Sequence, residues 1–306
     1  MPGEREIGDQ VRSYRNLLEV EKIDPLRSSS ALPSRLYESL VGPALQSIPP
    51  NSSIVIVPDG ALHGLNFETL VVSKPEPHYW IQDVTISIAP SLGILTLGDA
   101  NKKRHSPSLL AIGNPISANV DFPPLPNAGG EIEQVRSHFR PDETTIVSGA
   151  AAIPAAYKSS QPQRFSTLHF AAHAETNQRS PLDSAIILSP GSDGYRLFAR
   201  EIMELPLTAD LITLSACRSA GARTLSGEGP VGFAWAFFHA GADNVVASLW
   251  EVDDRSTADL MNAFYSAMGD GRSYSEALRQ AKLKMLRTSY PKPYFWAPFQ
   301  IYSRRL

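Results

Sequence analysis

The 306-residue chain has a single cysteine, Cys217. One thiol excludes an intramolecular disulfide framework and a multi-cysteine metal site, and it fits a reducing compartment. Excess charge of one sign is also missing. Lys and Arg total 28 against 31 Asp and Glu, a formal net charge of −3, so non-specific nucleic-acid binding is not the expected task. No run approaches the ~18 apolar residues of a membrane span; the longest, such as Val245–Trp250, are strand-sized. The opening stretch MPGEREIGDQVRSYRNLLEVEK is charged and has no apolar h-region, so no secretory signal is expected there. No repeat at helical-repeat spacing occurs, and neither G-x-S-x-G nor G-x-x-x-x-G-K-[ST] is present. The rest is an ordinary globular composition, 42% apolar, long enough to bury a sizeable core. The expectation is a soluble, cytoplasmic protein.

Short apolar runs alternate with helical patterns along the chain. Residues 1–30 are polar and end in Arg27-Ser28-Ser29-Ser30, which reads as a helix and a linker. Ala31–Ile48 carries Leu32, Leu36, Leu40, Val41 and Leu45 at mostly helical spacing and is stopped by Pro49-Pro50-Asn51-Ser52. Ile54-Val55-Ile56-Val57 then reads as a strand buried on both sides and ended by Pro58-Asp59-Gly60. The same unit recurs. Leu109–Ile112 ends at Gly113, Thr167–Ala172 at His173, Leu211–Ala216 at Cys217, and Val245–Leu249 near Trp250. Between them Glu131–Phe139, Pro230–Ala240, Ser256–Met268 and Tyr274–Leu286 carry helical patterns. Such alternation predicts right-handed βαβ units and a mostly parallel sheet. Ala185–Leu188 and Tyr195–Phe198, joined by Ser189–Gly194, read as a hairpin. The basic, proline-ended joint Lys102–Pro107 sets a boundary, giving an N-terminal helix and linker (1–30), a smaller subdomain (31–103) and a larger one (104–306).

Open α/β sheets hold their sites beyond the carboxyl ends of the strands. His173 and Cys217 each close a strand-like run there. On neighbouring parallel strands they would share one edge, as a nucleophile and its base. The same pattern also suits a small buried thiol and a hydrogen-bonded core imidazole. His169 and His173 are four apart, but on a strand rising ~3.3 Å per residue their rings lie roughly 13 Å apart, too far to share a metal; His169 reads as structural. Gly227–Gly232 matches G-x-G-x-x-G, yet it does not directly follow its strand, and Glu228 and Pro230 suit a pyrophosphate poorly. Glu251, Asp253 and Asp254 follow another strand. They fit either a helix cap or a pocket for a basic group. Ser215 and Ser219 flank the thiol and read as packing.

Taken together, these motifs resemble the CHAT domain, the caspase-like cysteine-peptidase module related to separase and the caspases. The resemblance rests on Leu168-His169-Phe170-Ala171-Ala172-His173, Leu214-Ser215-Ala216-Cys217 and the run Gly241–Trp250. Upstream it includes Ile56–His63, Ala89-Pro90-Ser91 and Gly113-Asn114-Pro115; downstream it includes Pro293–Phe299, so it covers about 31–303. The implied fold is a caspase-like three-layer α/β sandwich, a mostly parallel sheet with helices on both faces behind a smaller N-terminal subdomain.

The resemblance implies a cysteine endopeptidase that needs no cofactor and acts on a protein substrate. His173 would be the general base and acid, and Cys217 the nucleophile. The backbone N–H groups of Cys217 and Ala174 would receive the oxyanion; many relatives have glycine where this chain has Ala174. Separase-like relatives carry an aspartate that lines S1. Asp254 matches it, with Glu251 at the other acidic place, which implies a basic P1 residue. The family is often joined to tetratricopeptide repeats, which this sequence lacks; the resemblance then implies either the catalytic module of a longer protein or a separate regulatory or recruiting partner protein. Two other readings are a catalytically silent scaffold that binds a partner, and a nucleotide binder using Gly227–Gly232.

Overall fold

The computed structural model describes residues 3–95, 106–177, 179–216 and 229–305. In chain order the strands are β1 (Ser53–Ile56), β2 (Val71–Val72), β3 (His78–Tyr79), β4 (Thr85–Ile88), β5 (Leu109–Gly113) and β6 (Thr144–Ser148). They continue with β7 (Thr167–Glu175), β8 (Ala185–Gly191), β9 (Gly194–Phe198), β10 (Leu211–Ala216), β11 (Asn244–Ser248) and β12 (Phe299–Ser303). The first helices are α1 (Glu4–Glu19), α2 (Leu32–Leu40), α3 (Leu92–Leu95), α4 (Ala128–Arg136) and α5 (Pro154–Ser159). After them come α6 (Ala199–Met203), α7 (Gly229–Ala240), α8 (Asp254–Gly269), α9 (Tyr274–Met285) and α10 (Pro293–Trp296).

One sheet runs in the order β1-β4-β12-β11-β10-β7-β5-β6, and β8 and β9 extend it from β7. Along the main path every neighbouring pair is parallel except β11 with β12. The sheet is therefore two parallel blocks of opposite direction joined at that antiparallel pair. β1 and β4 belong to the same sheet as the later strands, through β12. The expected boundary near 103 falls in 96–105, outside the described residues.

Strand alternation assigns the two helical layers. Successive side chains of β7 point to opposite faces. His169 meets Glu131 of α4 and Tyr265 of α8, whereas Phe170 packs on Tyr157 of α5 and Phe237 of α7. Helices thus cover both faces, so the central strands are apolar throughout: Leu109 to Gly113 is buried along its whole length. Outer strands differ. β1 is half-buried rather than sealed, because it lies at the sheet's edge. The strands β4, β6 and β12 have no counterpart in the sequence reading. Each mixes apolar with polar residues over four or five positions, as in Phe299-Gln300-Ile301-Tyr302-Ser303, too short a signal to separate from loop.

Helix ends follow their capping chemistry. Asp253 accepts from the Ser256 N–H at the start of α8, and Ser273 accepts from the Glu276 N–H at the start of α9. Lys282 and Lys284 complement the dipole in the last turn of α9. The leading helix α1 docks through buried Val11, Tyr14, Leu17 and Leu18, and the Tyr14 hydroxyl donates to the Thr69 carbonyl at 2.7 Å. Among the described residues, no helix is long and apolar enough to cross a membrane.

Candidate active site

The site begins with the unusual length of β7. Its neighbour β5 pairs with it only as far as Gly113 opposite Ala171, and among the described residues β10 pairs with it up to Ala216 opposite Ala172. The strand continues to Glu175 because β8 takes over the pairing, with His173 opposite Ile187. His173 therefore lies inside a strand, not just beyond one as its sequence position suggested. The hairpin that extends the strand was legible, but its return onto β7 was not.

Gly113 ends β5 where a Cβ would come within 2.3 Å of the Ala171 carbonyl oxygen. Only glycine lets the two backbones approach so closely. The next residue, Asn114, takes a left-handed φ of 49° while its N–H still donates to Ala171 O at 2.8 Å. The chain then leaves the sheet as a segment that folds over His173. Phe122 stands 5.9 Å from the imidazole, ring centre to ring centre. His173 Nε2 lies 2.7 Å from the Pro123 carbonyl oxygen. A carbonyl only accepts, so Nε2 carries the hydrogen. The neutral ring then has its basic lone pair on Nδ1. The Pro123 carbonyl thus fixes which ring nitrogen can accept a proton.

Cys217 lies outside the described residues, as do Ser219 and the first two residues of Gly227–Gly232. The rest of that glycine run opens α7. What is described is the approach to the cysteine. Ala216 pairs with Ala172, the residue before His173. Ala174 is buried next to His173 and faces Ile186 across the hairpin. Ser215 is buried within β10.

The acidic cluster divides its work. Asp253 caps α8. Half-exposed Asp254 accepts two hydrogen bonds at Oδ2, from the Asn127 backbone N–H at 2.7 Å and from Asn127 Nδ2 at 2.8 Å. Glu251 is exposed. Trp250 is buried and donates from its indole to Tyr294 O at 3.3 Å. Arg15 of α1 donates to the Leu249 carbonyl at 3.3 Å, so the leading helix touches the chain just before this cluster.

His169 is fully buried beneath the sheet. Its Nδ1 lies 3.2 Å from the Tyr265 hydroxyl, which lies 2.9 Å from Thr213 Oγ1. Its Nε2 lies 3.0 Å from Glu131 Oε1. The structural reading of His169 fits this placement. Sequence reasoning missed Pro123, Asn127, Glu131 and Tyr265. The run Pro123-Pro124-Leu125-Pro126-Asn127 was the available signal for the first two.

The sequence matches the CHAT domain family over residues 30–304. The chain belongs to that family. Human tetratricopeptide repeat protein 28 is 22% identical over 329 aligned positions, which take in 87% of this CHAT chain and 13% of the relative. The mouse protein of the same name is 32% identical over 107 residues, covering 34% of this chain and 4% of the relative. The CHAT chain thus spans only a small part of the curated relatives it matches. Among solved structures, RgpB of Porphyromonas gingivalis superposes with a TM-score of 0.52 at 11% identity, covering 98% of this chain and 76% of that one. RgpB is elsewhere described as the Arg-specific cysteine proteinase gingipain R. That likeness concerns the fold. The CHAT domain here is a caspase-like sandwich with a mostly parallel sheet.

Proposed function

We propose that the chain is a cysteine endopeptidase in which Cys217 is the nucleophile and His173 the general base. One observation carries the reading: His173 has its Nε2 hydrogen committed to the Pro123 carbonyl, and the residue before it is paired with the residue before Cys217. Strands paired in that register run to one edge of the sheet, where open α/β sheets hold their sites.

The chemistry follows from these assignments. Nδ1 of His173 takes the thiol proton, and the Cys217 sulfur forms a bond to the scissile carbonyl carbon. The oxyanion is received by the backbone N–H groups of Cys217 and Ala174. On collapse the C–N bond breaks, and the imidazolium returns its proton to the leaving amine. A thioester remains. Water then attacks it with His173 again as base, releasing the carboxylic acid and restoring the thiol. Asp254, half-exposed at the head of α8, and exposed Glu251 supply the negative charge for a basic P1 side chain. The substrate is a protein, the chemistry needs no cofactor, and the setting is cytoplasmic. A partner protein, of the tetratricopeptide-repeat kind joined to this family, recruits or regulates.

The test is cleavage profiling of wild type against Cys217→Ala and His173→Ala. Both variants are expected to stay folded and to lose cleavage; full cleavage by Cys217→Ala would overturn the assignment. A second reading, a catalytically silent partner-binding scaffold, is favoured by the curated relatives being named for repeats rather than for proteolysis. Thiol alkylation separates the two. With one cysteine in the chain, label uptake reports Cys217 alone. An activated thiol reacts at mildly acidic pH, whereas an ordinary thiol, with a pKa of about 8.5, does not.

A further inference from the structure

We propose that Asn127 is a positioning residue that couples Asp254 to the orientation of His173, an inference that rests on the peptidase reading above. Two functional candidates far apart in sequence are held by one five-residue segment. At its front, the Pro123 carbonyl accepts from His173 Nε2 at 2.7 Å. At its end, Asn127 donates twice to Asp254, from its backbone N–H at 2.7 Å and from Nδ2 at 2.8 Å.

The segment between is stiff. Pro123, Pro124 and Pro126 are three of its five residues, and each ring fixes φ near −65°. The Ala128 N–H closes a turn onto Leu125 O at 3.2 Å and so starts α4. With few soft dihedrals left, a shift at Asn127 passes to the Pro123 carbonyl instead of being absorbed by local rotation. That carbonyl selects the imidazole tautomer with Nδ1 basic.

Both Asn127 bonds reach the same oxygen, Oδ2. A P1 ammonium or guanidinium can approach Oδ1 without displacing them. The clamp therefore survives substrate binding, and the carboxylate that recognises the cation also braces the strut behind the base. Recognition and base alignment share one group, which makes turnover of a basic-P1 peptide depend on Asn127 more than its binding does.

Two readouts test this. In kinetics, Asn127→Ala is expected to lower kcat on a basic-P1 peptide about 10-fold or more, since an ångström of misalignment costs up to ~100-fold, while KM moves less than about threefold. Asn127→Ser, which keeps a donor, is expected to recover part of the loss. In the ring-nitrogen NMR spectrum of His173, wild type is expected to show the Nε2–H tautomer. Asn127→Ala is expected to mix the tautomers, and Asp254→Ala, which removes both bonds without touching the ring, to mix them further. An unchanged ring spectrum in Asp254→Ala would overturn the proposal, as would an unchanged kcat in Asn127→Ala. If the wild-type protein cleaves no peptide, the peptidase reading fails by itself, and the ring spectrum still decides the link from Asn127 to His173. If Asn127→Ala does not fold, Asn127→Ser is compared with wild type in its place.

Discussion

Glu131 and His169 meet beneath the sheet with Oε1 and Nε2 3.0 Å apart, their side chains 3% and 0% exposed. The contact ties α4 to β7, and Tyr265 brings α8 into the same cluster. Removing the imidazole opens a cavity against the buried Glu131 carboxyl and takes the Tyr265 hydroxyl's neighbour away, and a buried polar group left unsatisfied costs ~1–3 kcal/mol. His169→Ala is therefore expected to lower the urea midpoint sharply. His169→Phe combined with Glu131→Leu should recover much of the loss. A shift under about 1 kcal/mol in the single variant would show that the pair is not holding the layers together.

A second buried pair acts elsewhere. Lys282 of α9 donates to Glu68 and to the Phe299 carbonyl, and both charged groups are buried. Burial lowers the Lys282 ammonium pKa, and Glu68 opposes that shift. Lys282→Met leaves Glu68 without its cation and is expected to destabilise by ~3–5 kcal/mol, while Lys282→Met with Glu68→Leu is expected to lie close to wild type. Equal losses in the single and double variants, read by thermal unfolding, would contradict this account.

Glu276 gives the fold an acid-sensitive support. Burial pushes its carboxyl pKa up, but hydrogen bonds from Thr85 and Gln280 and the charge of Arg279 outweigh it and hold the pKa below the usual 4.5. A carboxyl depressed in the folded state stabilises above its unfolded pKa, and that contribution disappears as pH falls through the folded value. Glu276→Gln is expected to be less stable than wild type at pH 7, with the gap closing in acid, below about pH 4. Urea titrations at the two pH values check it; a gap constant with pH would refute the electrostatic origin.

Gly241 separates α7 from β11 with φ at +120°, and a Cβ there would come within 2.2 Å of the Leu207 carbonyl oxygen. Strain and overlap act together, so Gly241→Ala is expected to cost more than about 3 kcal/mol. Gly271 is the control. Its φ is +81°, but nothing lies within 4 Å of its Cβ position, so Gly271→Ala should cost only the conformational part. Similar melting temperatures for the two variants would count against the steric argument.

The order of apolar runs and helical patterns, and the residues that close the runs, were determined by the sequence alone. Thr167–Ala172 and Leu211–Ala216 are strands in adjacent register, and the runs around Gly229, Ser256 and Tyr274 are helices. These are local signals, since burying a strand on two faces or a helix on one leaves a periodic trace in neighbouring residues. Tertiary structure decided the rest. The extension of β7 past His173 depends on β8 returning to it. The reversal of direction at β11 and β12 depends on a strand from the far end of the chain. The Pro123 carbonyl at His173, Glu131 at His169 and Asn127 at Asp254 join residues 50, 38 and 127 positions apart. No periodicity encodes such pairs, because each is set by where whole elements pack and by the need of a buried polar group for a partner.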